Sequence, residues 1–352
     1  MAMATTLHLL IPGILGPGHS GCAASGFPQP VAPALEWLLA RAVACPVPAT
    51  TDETLFQLFG LSAPAAADLP VAALTRLADG GEPEAEGWWL RADPVHLRPD
   101  LREILLVDSR VLAITTAEAE ALATAFNRTF AADGLQLEAP RPDRWYLRLP
   151  ADPGLRTEPL LRVIGRDIGP RLPHGPAGRR WCALLTEIQM LFHHHPVNQA
   201  REERQQPLIN SVWLWGGGGC PACAGAPAAG LYASDPLTRG LARLADAAIS
   251  PLPERAEDWL GAAQDEADSL VVLETTRFDP VDDDPSAWIE HVARLERDWF
   301  TFCRRGLRTG ALKALHLYPG NGRVYTLTGA ARWRFWRRPQ PLSAYGIVGG
   351  AE

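Results

Sequence analysis

Short apolar runs alternate with amphipathic stretches along most of the chain. Leu7-His8-Leu9-Leu10-Ile11 is closed by Pro12-Gly13, the pattern of a buried strand running into a tight turn. Ala34 to Ala44 predicts an amphipathic helix opened by Pro33, and Thr51 to Gly60 a second one ended by Gly60. From Leu61 to Glu86, Ala, Pro, Gly and Asp dominate, and the stretch reads as loop with one helical piece.

The texture then changes. Trp88 to Arg91, Glu103 to Val107 and Trp145 to Leu149 predict strands, and Thr116 to Phe130 a helix with acidic residues in its first turns. Strand, strand, helix, strand is an α+β unit of its own, so residues 88–172 are expected to be an inserted subdomain with linker. A helix over Gly178 to His194 carries Leu184, Ile188, Leu191 and Phe192 on one face and should stop before Pro196. Ile209 to Trp215 reads as a buried strand entering a turn at Gly216-Gly217-Gly218-Gly219, and Ser269 to Leu273 as another strand. Ser286 to Arg304 predicts a helix, and Leu312 to Leu317 and Arg323 to Leu327 the last two strands. The final stretch is aromatic and basic, Arg332-Trp333-Arg334-Phe335-Trp336-Arg337-Arg338. Strands alternating with helices at both ends argue for a mostly parallel sheet covered on both faces, built from 1–87 and 173–352.

Composition narrows the function. The 352 residues are 47% hydrophobic and 21% charged, enough apolar material for a sizeable core. The formal net charge is −7, which argues against a nucleic-acid partner, because phosphate neutralisation needs a basic face. Lys313 is the single lysine and has no glycine-rich loop around it, which excludes a P-loop nucleotide site and disfavours a pyridoxal phosphate enzyme. The six cysteines form no disulfide framework, no apolar run spans a bilayer, and the N-terminal residues do not read as a signal peptide. A cytoplasmic protein with no membrane partner is expected.

Several segments carry candidate chemistry. Glycines after a buried strand let backbone N–H groups approach an anion, so Gly216 and Gly217 are candidate ligand contacts, or simply a turn. Cys220-Pro-Ala-Cys223 has the spacing of a redox pair or half a zinc site, but no second pair of that spacing exists. His193-His194-His195 cannot share one metal, since successive helical residues diverge by about 100°. His195 and Asn198 read as caps or ligand contacts. Thr50 and Glu53 form a capping box, which places the Thr51 hydroxyl at a helix N-terminus, where a phosphoryl-accepting nucleophile would also sit. Asp279, Asp282, Asp283 and Asp284 form an acidic loop suited to a hard cation or to solvent.

The order of these pieces resembles the RpfE-type regulatory proteins of bacteria. These in turn are similar to the archaeal-type cofactor-independent phosphoglycerate mutases of the alkaline phosphatase superfamily. The resemblance rests most on His195-Pro196-Val197-Asn198 and on Ile209-Asn210-Ser211-Val212-Trp213-Leu214-Trp215-Gly216, with Pro33 to Leu38, Trp89 to Pro94 and the helices at Thr51 and Thr116 in the same order. It implies an α/β fold with an alkaline phosphatase-like core, a mostly parallel sheet and an inserted α+β subdomain. It also implies a two-metal site with a hydroxyl nucleophile at Thr51, and a cleft-facing arginine at Arg91 that would hold a phosphate or carboxylate.

The departures from that pattern fall on the metal ligands. Pro12 stands where the resembled proteins have an Asp ligand, the acidic loop lacks their His, and no Asp-His pair follows His316. The resemblance therefore implies a degraded mutase, a non-catalytic binding or regulatory protein without a cofactor. A small phosphorylated or carboxylated ligand and an unidentified protein partner are expected. The rival is an active phosphotransferase or mutase built from Thr51, with Asp282, Asp284 and His316 as candidate ligands for manganese or zinc. A thiol-redox or zinc protein centred on Cys220 and Cys223 is the third reading.

Overall fold

In the computed structural model, residues 5–16, 29–62, 68–84, 86–100, 103–262, 268–273 and 286–346 are described. In chain order the elements begin with β1 (Thr5–Leu10), α1 (Pro33–Arg41), β2 (Val43–Pro46), α2 (Thr51–Leu58), α3 (Val71–Ala78) and β3 (Trp88–Pro99). Next come β4 (Ile104–Val107), α4 (Ser109–Leu112), α5 (Thr116–Phe130), β5 (Gln136–Arg141), β6 (Arg144–Leu149), α6 (Gly178–His193), α7 (Pro196–Glu203) and β7 (Ser211–Gly219). The chain closes through β8 (Gly230–Ala233), α8 (Pro236–Leu244), β9 (Ile249–Ser250), α9 (Ala256–Ala262), β10 (Ser269–Val272), α10 (Ser286–Leu295), α11 (Thr301–Thr309), β11 (Leu312–Tyr318) and β12 (Arg323–Thr328).

These elements divide into two compact units, Met1–Ser62 with Ala224–Glu352, and Ala63–Cys223. The second unit starts and ends beyond the expected 88–172, because α3 and β7 pack into its sheet rather than into the other one.

The first unit holds a seven-stranded sheet in the order β2-β12-β11-β1-β10-β8-β9. Strands β11, β1, β10, β8 and β9 are parallel neighbours, and β12 and β2 close one edge antiparallel. Leu7, Leu9, Val271, Leu315 and Leu317 point into a core shared with Trp259, Trp299, Phe300 and the buried face of α1. Alternate residues of β1, Thr6 and His8, face the other way, as the two-residue period of a strand requires. Two helices differ from expectation. The first ends at Arg41 instead of Ala44, since Ala42 is extended and Val43–Pro46 hydrogen-bonds to β12 as an edge strand, where a proline is tolerated. The helix expected over 286–304 is interrupted by a π-turn at Glu296–Phe300. That turn delivers the Glu296 carboxylate to the N-terminus of α1, where it accepts from Ala34 N at 2.6 Å and Leu35 N at 3.0 Å. Helix α1 has no side-chain cap of its own, so a residue some 260 positions away satisfies its orphan donors.

The second unit holds a five-stranded sheet in which β3 pairs antiparallel with β6, β4 and β7. One face packs on α5 and α6 through Leu122, Phe126, Trp145, Ile188 and Phe192. The other packs Trp89 and Tyr146 against Ala72 and Ala73 of α3. Thus the α+β reading of this segment holds, with β3 running through twelve residues where only the first four were expected.

A pH dependence follows from the first sheet. Burial and the neighbouring His316 imidazole lower His8 to about 4. The unfolded chain would titrate His8 near 6.5, so this group's contribution to stability is complete above about pH 6.5 and is lost as pH falls through about 4. Buried His291 acts in the same direction. The melting temperature is expected to fall from pH 7 to pH 4, and His8→Phe to make that fall shallower. An unchanged slope in differential scanning fluorimetry would contradict the assignment.

Candidate functional site

At the C-terminal edge of the first sheet, β1 and β11 leave together. They run in register, with His8 opposite His316 and Leu10 opposite Tyr318. The pairing continues past the strands, as Ile11 N donates to Tyr318 O at 2.9 Å and Gly13 N to Pro319 O at 3.1 Å. Gly13 and Gly320 turn with φ of 75° and 77°, which side-chain-bearing residues seldom adopt. Helix α2 starts beside this turn. The Thr50–Glu53 capping box forms as expected: Thr50 Oγ1 accepts from Glu53 N, and Glu53 Oε2 from Thr50 N, each at 3.2 Å. A methyl group on Gly320 would come within 3.3 Å of Thr51 Oγ1 and 3.5 Å of Pro12 Cα. Thr51, Pro12 and Gly320 therefore meet at one point. Gly320 was not singled out by the sequence, although Pro319-Gly320 repeats the strand-then-Pro-Gly pattern of Pro12-Gly13.

A helix N-terminus with a hydroxyl favours an anion. What surrounds it decides the chemistry. Pro12 has no ligating side-chain atom and Gly320 has no side chain, so these residues do not fit the two-metal centre that the sequence resemblance implies. Among the described residues, no group of three or more His, Cys, Asp or Glu is arranged to hold a metal ion. Asp279, Asp282, Asp283 and Asp284 lie outside the described residues. His316 lies inside β11, where its ring stacks on His8 at 4.5 Å and its Nδ1 is 3.1 Å from Thr326 Oγ1. Burial also lowers its pKa.

The glycine run is not the turn that its sequence predicts. Gly216 to Gly219 are the second half of β7, paired with β3 in the sheet of the second unit. They thus belong to a different sheet from β1, the strand that Pro12 follows. Their lack of side chains has a packing cause. A methyl on Gly216 would lie 3.0 Å from Val71 Cβ, one on Gly218 2.5 Å from Pro70 Cβ, and one on Gly217 2.8 Å from Leu90 Cδ2. Side-chain-free positions are what let the start of α3 lie directly on β7.

Arg91 is 5% exposed, so it is neither a surface residue nor an open fork. Its Nε and Nη2 both donate to Asp93 Oδ1, at 3.0 and 2.6 Å. Trp215 Nε1 donates to Asp93 Oδ2 at 2.7 Å, and the guanidinium lies over the Trp215 and Tyr146 rings. Burial raises the Asp93 pKa, opposed by Arg91 and the indole donor. His195 and Asn198 act as caps. His195 Nδ1 accepts from Val197 N at 3.2 Å, opening α7 rather than closing α6, with Pro196 in the first turn of α7. Buried Asn198 donates to Phe192 O and Ile209 O and accepts from Ile209 N, tying the end of α6 to the approach to β7. Cys220 and Cys223 are free thiols with no helix after them, and burial raises the Cys220 pKa, the reverse of a reactive thiolate.

The two folded units are those of an α/β protein with a mostly parallel sheet and an alkaline phosphatase-like core, a fold similar to that of a solved cofactor-independent phosphoglycerate mutase. The cofactor-independent phosphoglycerate mutase of Thermoplasma acidophilum superposes with a TM-score of 0.50 at 17% identity, over 99% of this chain and 96% of that one. The PH0037 protein of Pyrococcus horikoshii gives 0.54 at 14% identity, over 99% and 94%. In sequence, 138 residues are 28% identical to the Geobacter sulfurreducens protein named "Probable 2,3-bisphosphoglycerate-independent phosphoglycerate mutase", covering 38% of this chain and 34% of that relative. Another 70-residue match is 34% identical to the 2,3-bisphosphoglycerate-independent phosphoglycerate mutase of Methanosarcina mazei, covering 19% and 18%. The matched stretches thus span about a third and about a fifth of these curated relatives. No protein-family model matches the chain.

Two stability outcomes test the packing roles. Asp93→Leu would leave Arg91 buried without its partner and is expected to cost about 3–5 kcal/mol in urea unfolding, with Arg91→Met/Asp93→Leu recovering much of that. Gly218→Ala, which forces β7 and Pro70 apart, is expected to cost roughly 1–3 kcal/mol. A neutral Gly218→Ala would show that the close approach is not required.

Proposed function

We propose that the chain is a phosphoglycerate mutase-like protein that has lost two-metal phosphoryl transfer and serves as a binding or regulatory protein. The observation that carries this reading is the composition of the point where Thr51, Pro12 and Gly320 meet. A nucleophilic hydroxyl is kept at a helix N-terminus, but the ends of β1 and β11 beside it bring a proline and a glycine instead of carboxylates and imidazoles. Without cations to lower the hydroxyl's pKa and neutralise developing phosphoryl charge, the Thr51 oxygen is a weak nucleophile. A helix N-terminus favours an anion, which supports a small phosphorylated or carboxylated ligand as part of this reading. The regulatory part of the reading, with an unidentified protein partner, draws on the sequence resemblance to the RpfE-type proteins. Exposed free thiols at Cys45 and Cys223 fit a reducing cytoplasm.

Purified protein assayed for interconversion of 2- and 3-phosphoglycerate with manganese, magnesium, zinc or cobalt is expected to show no turnover above the uncatalysed rate. Pro12→Asp alone is expected not to restore it, because a single carboxylate cannot clamp both the attacking and the leaving oxygen. Metal-dependent turnover by the wild type that Thr51→Ala abolishes would overturn the proposal in favour of an active, remodelled phosphotransferase.

A further inference from the structure

The aromatic and basic stretch near the end of the chain stands out on the surface of the first unit. Trp333, Phe335 and Trp336 are 64%, 72% and 67% exposed, although large aromatics are ordinarily well covered. Interleaved with them are Arg332, Arg334, Arg337 and Arg338, four cations in seven residues of a chain whose net charge is −7. The segment is fastened in place. Arg334 Nη1 donates to Arg41 O and Arg337 Nη1 to Ala42 O, each at 2.6 Å, so both cap the C-terminal end of α1. Arg41 Nη1 donates back to Arg332 O at 3.2 Å. These tethers hold the aromatic side chains outward. Beside them lies a cleft of about 620 Å³, whose lining includes Arg323, Arg337, Arg338, Gln340 and Tyr345 and, among the described residues, no carboxylate.

We infer that this face is a peripheral binding surface for a bilayer containing anionic lipid. Trp333, Phe335 and Trp336 enter the interfacial layer, and Arg323 and Arg338 take headgroup phosphates at the mouth of the cleft. Tryptophan and phenylalanine flanked by arginine suit that layer, where an apolar body and a charged rim are both satisfied. Charge and ring geometry select this occupant over two others. Single-stranded nucleic acid needs open ring faces for stacking. Here the Arg332 guanidinium at 5.0 Å takes one face of the Trp333 ring, and Phe335 and Trp336 pack edge to face at 80° rather than parallel, which leaves fewer faces for a run of stacked bases. A second copy of the chain meeting this patch about a two-fold axis would bring arginines against arginines. No described helix is long and apolar enough to cross a membrane, so the contact is with the bilayer surface.

The test is cosedimentation of the full chain with vesicles at low salt. The protein is expected to pellet with equimolar phosphatidylcholine and phosphatidylglycerol, to stay in solution with phosphatidylcholine alone, and to be released by added salt. Trp333→Ser/Phe335→Ser/Trp336→Ser is expected to lower partitioning at least tenfold. Arg323→Glu and Arg338→Glu are each expected to lower it roughly fivefold or more. All the substituted side chains are exposed, so an unchanged melting temperature shows that each variant is folded. Absence of binding, equal binding to neutral vesicles, or binding indifferent to both sets of substitutions overturns the inference. So does release of the protein from vesicles by inorganic phosphate at matched ionic strength, which would mark a free-phosphate site. Tighter binding to a single-stranded oligonucleotide, or a dimer that the aromatic substitutions dissociate, gives the patch to another occupant and equally overturns it.

Discussion

The parallel pairing of β1 between β11 and β10 fixes where Pro12 comes to rest, and the candidate site is arranged around that position. A parallel strand pinned on both sides by hydrogen bonds ends at a defined point in the sheet, and its neighbour β11 ends one step away. The bonds from Ile11 and Gly13 to the chain after β11 carry this register into the loops. Helix α2, held by its own capping box, sets Thr51 against the same point. Ligands in open α/β sheets bind at strand C-terminal ends, so the architecture for a site is present and what varies is the residue each strand delivers. Here β1 delivers a proline.

In the second unit the organising constraint is closeness. Gly216, Gly217 and Gly218 remove the side chains that would separate β7 from α3 and from Leu90. With the layers this close, Arg91 and Asp93 are shut away from water and must answer each other. They do so through a shared carboxylate oxygen, an indole donor and two aromatic faces. Desolvating two charges is costly, and the compensation requires every donor to be placed, which ties the conformation of β3 to that of β7. The same unit spends Asn198 on backbone groups between α6 and β7, so polar residues that look like ligand contacts in the sequence act as structural joints.

A shared fold does not by itself fix the chemistry of a protein. The fold is similar to that of the cofactor-independent phosphoglycerate mutase of Thermoplasma acidophilum although identity is 17%. A fold supports many functions because its sites are grafted onto strand ends and loops that can change without disturbing the core. Core positions such as Leu7, Leu9, Leu315 and Leu317 keep the sheet intact whatever follows the strands. A change at the end of β1 alters what the site can do and leaves the folding pattern untouched.

Apolar periodicity was enough to place β1, α5, α6, β10, β11 and β12 within a few residues, because a buried strand or an amphipathic helix writes its own period into the chain. Local chemistry was likewise enough for the capping box at Thr50 and Glu53, which lie three residues apart. The identity of Pro12 was legible too, since a side chain without a donor atom cannot be rescued by its surroundings. Tertiary structure decided the rest. Glycines in a row read as a turn, and only the nearness of Pro70 and Val71 made them a strand. Arg91 read as a free fork until Asp93 and Trp215 were folded around it. Nothing local to Pro33 shows that Glu296 caps its helix, or that Gly320 sits against Thr51. These contacts join residues some 260 positions apart, and only the closure of the sheet brings such partners together.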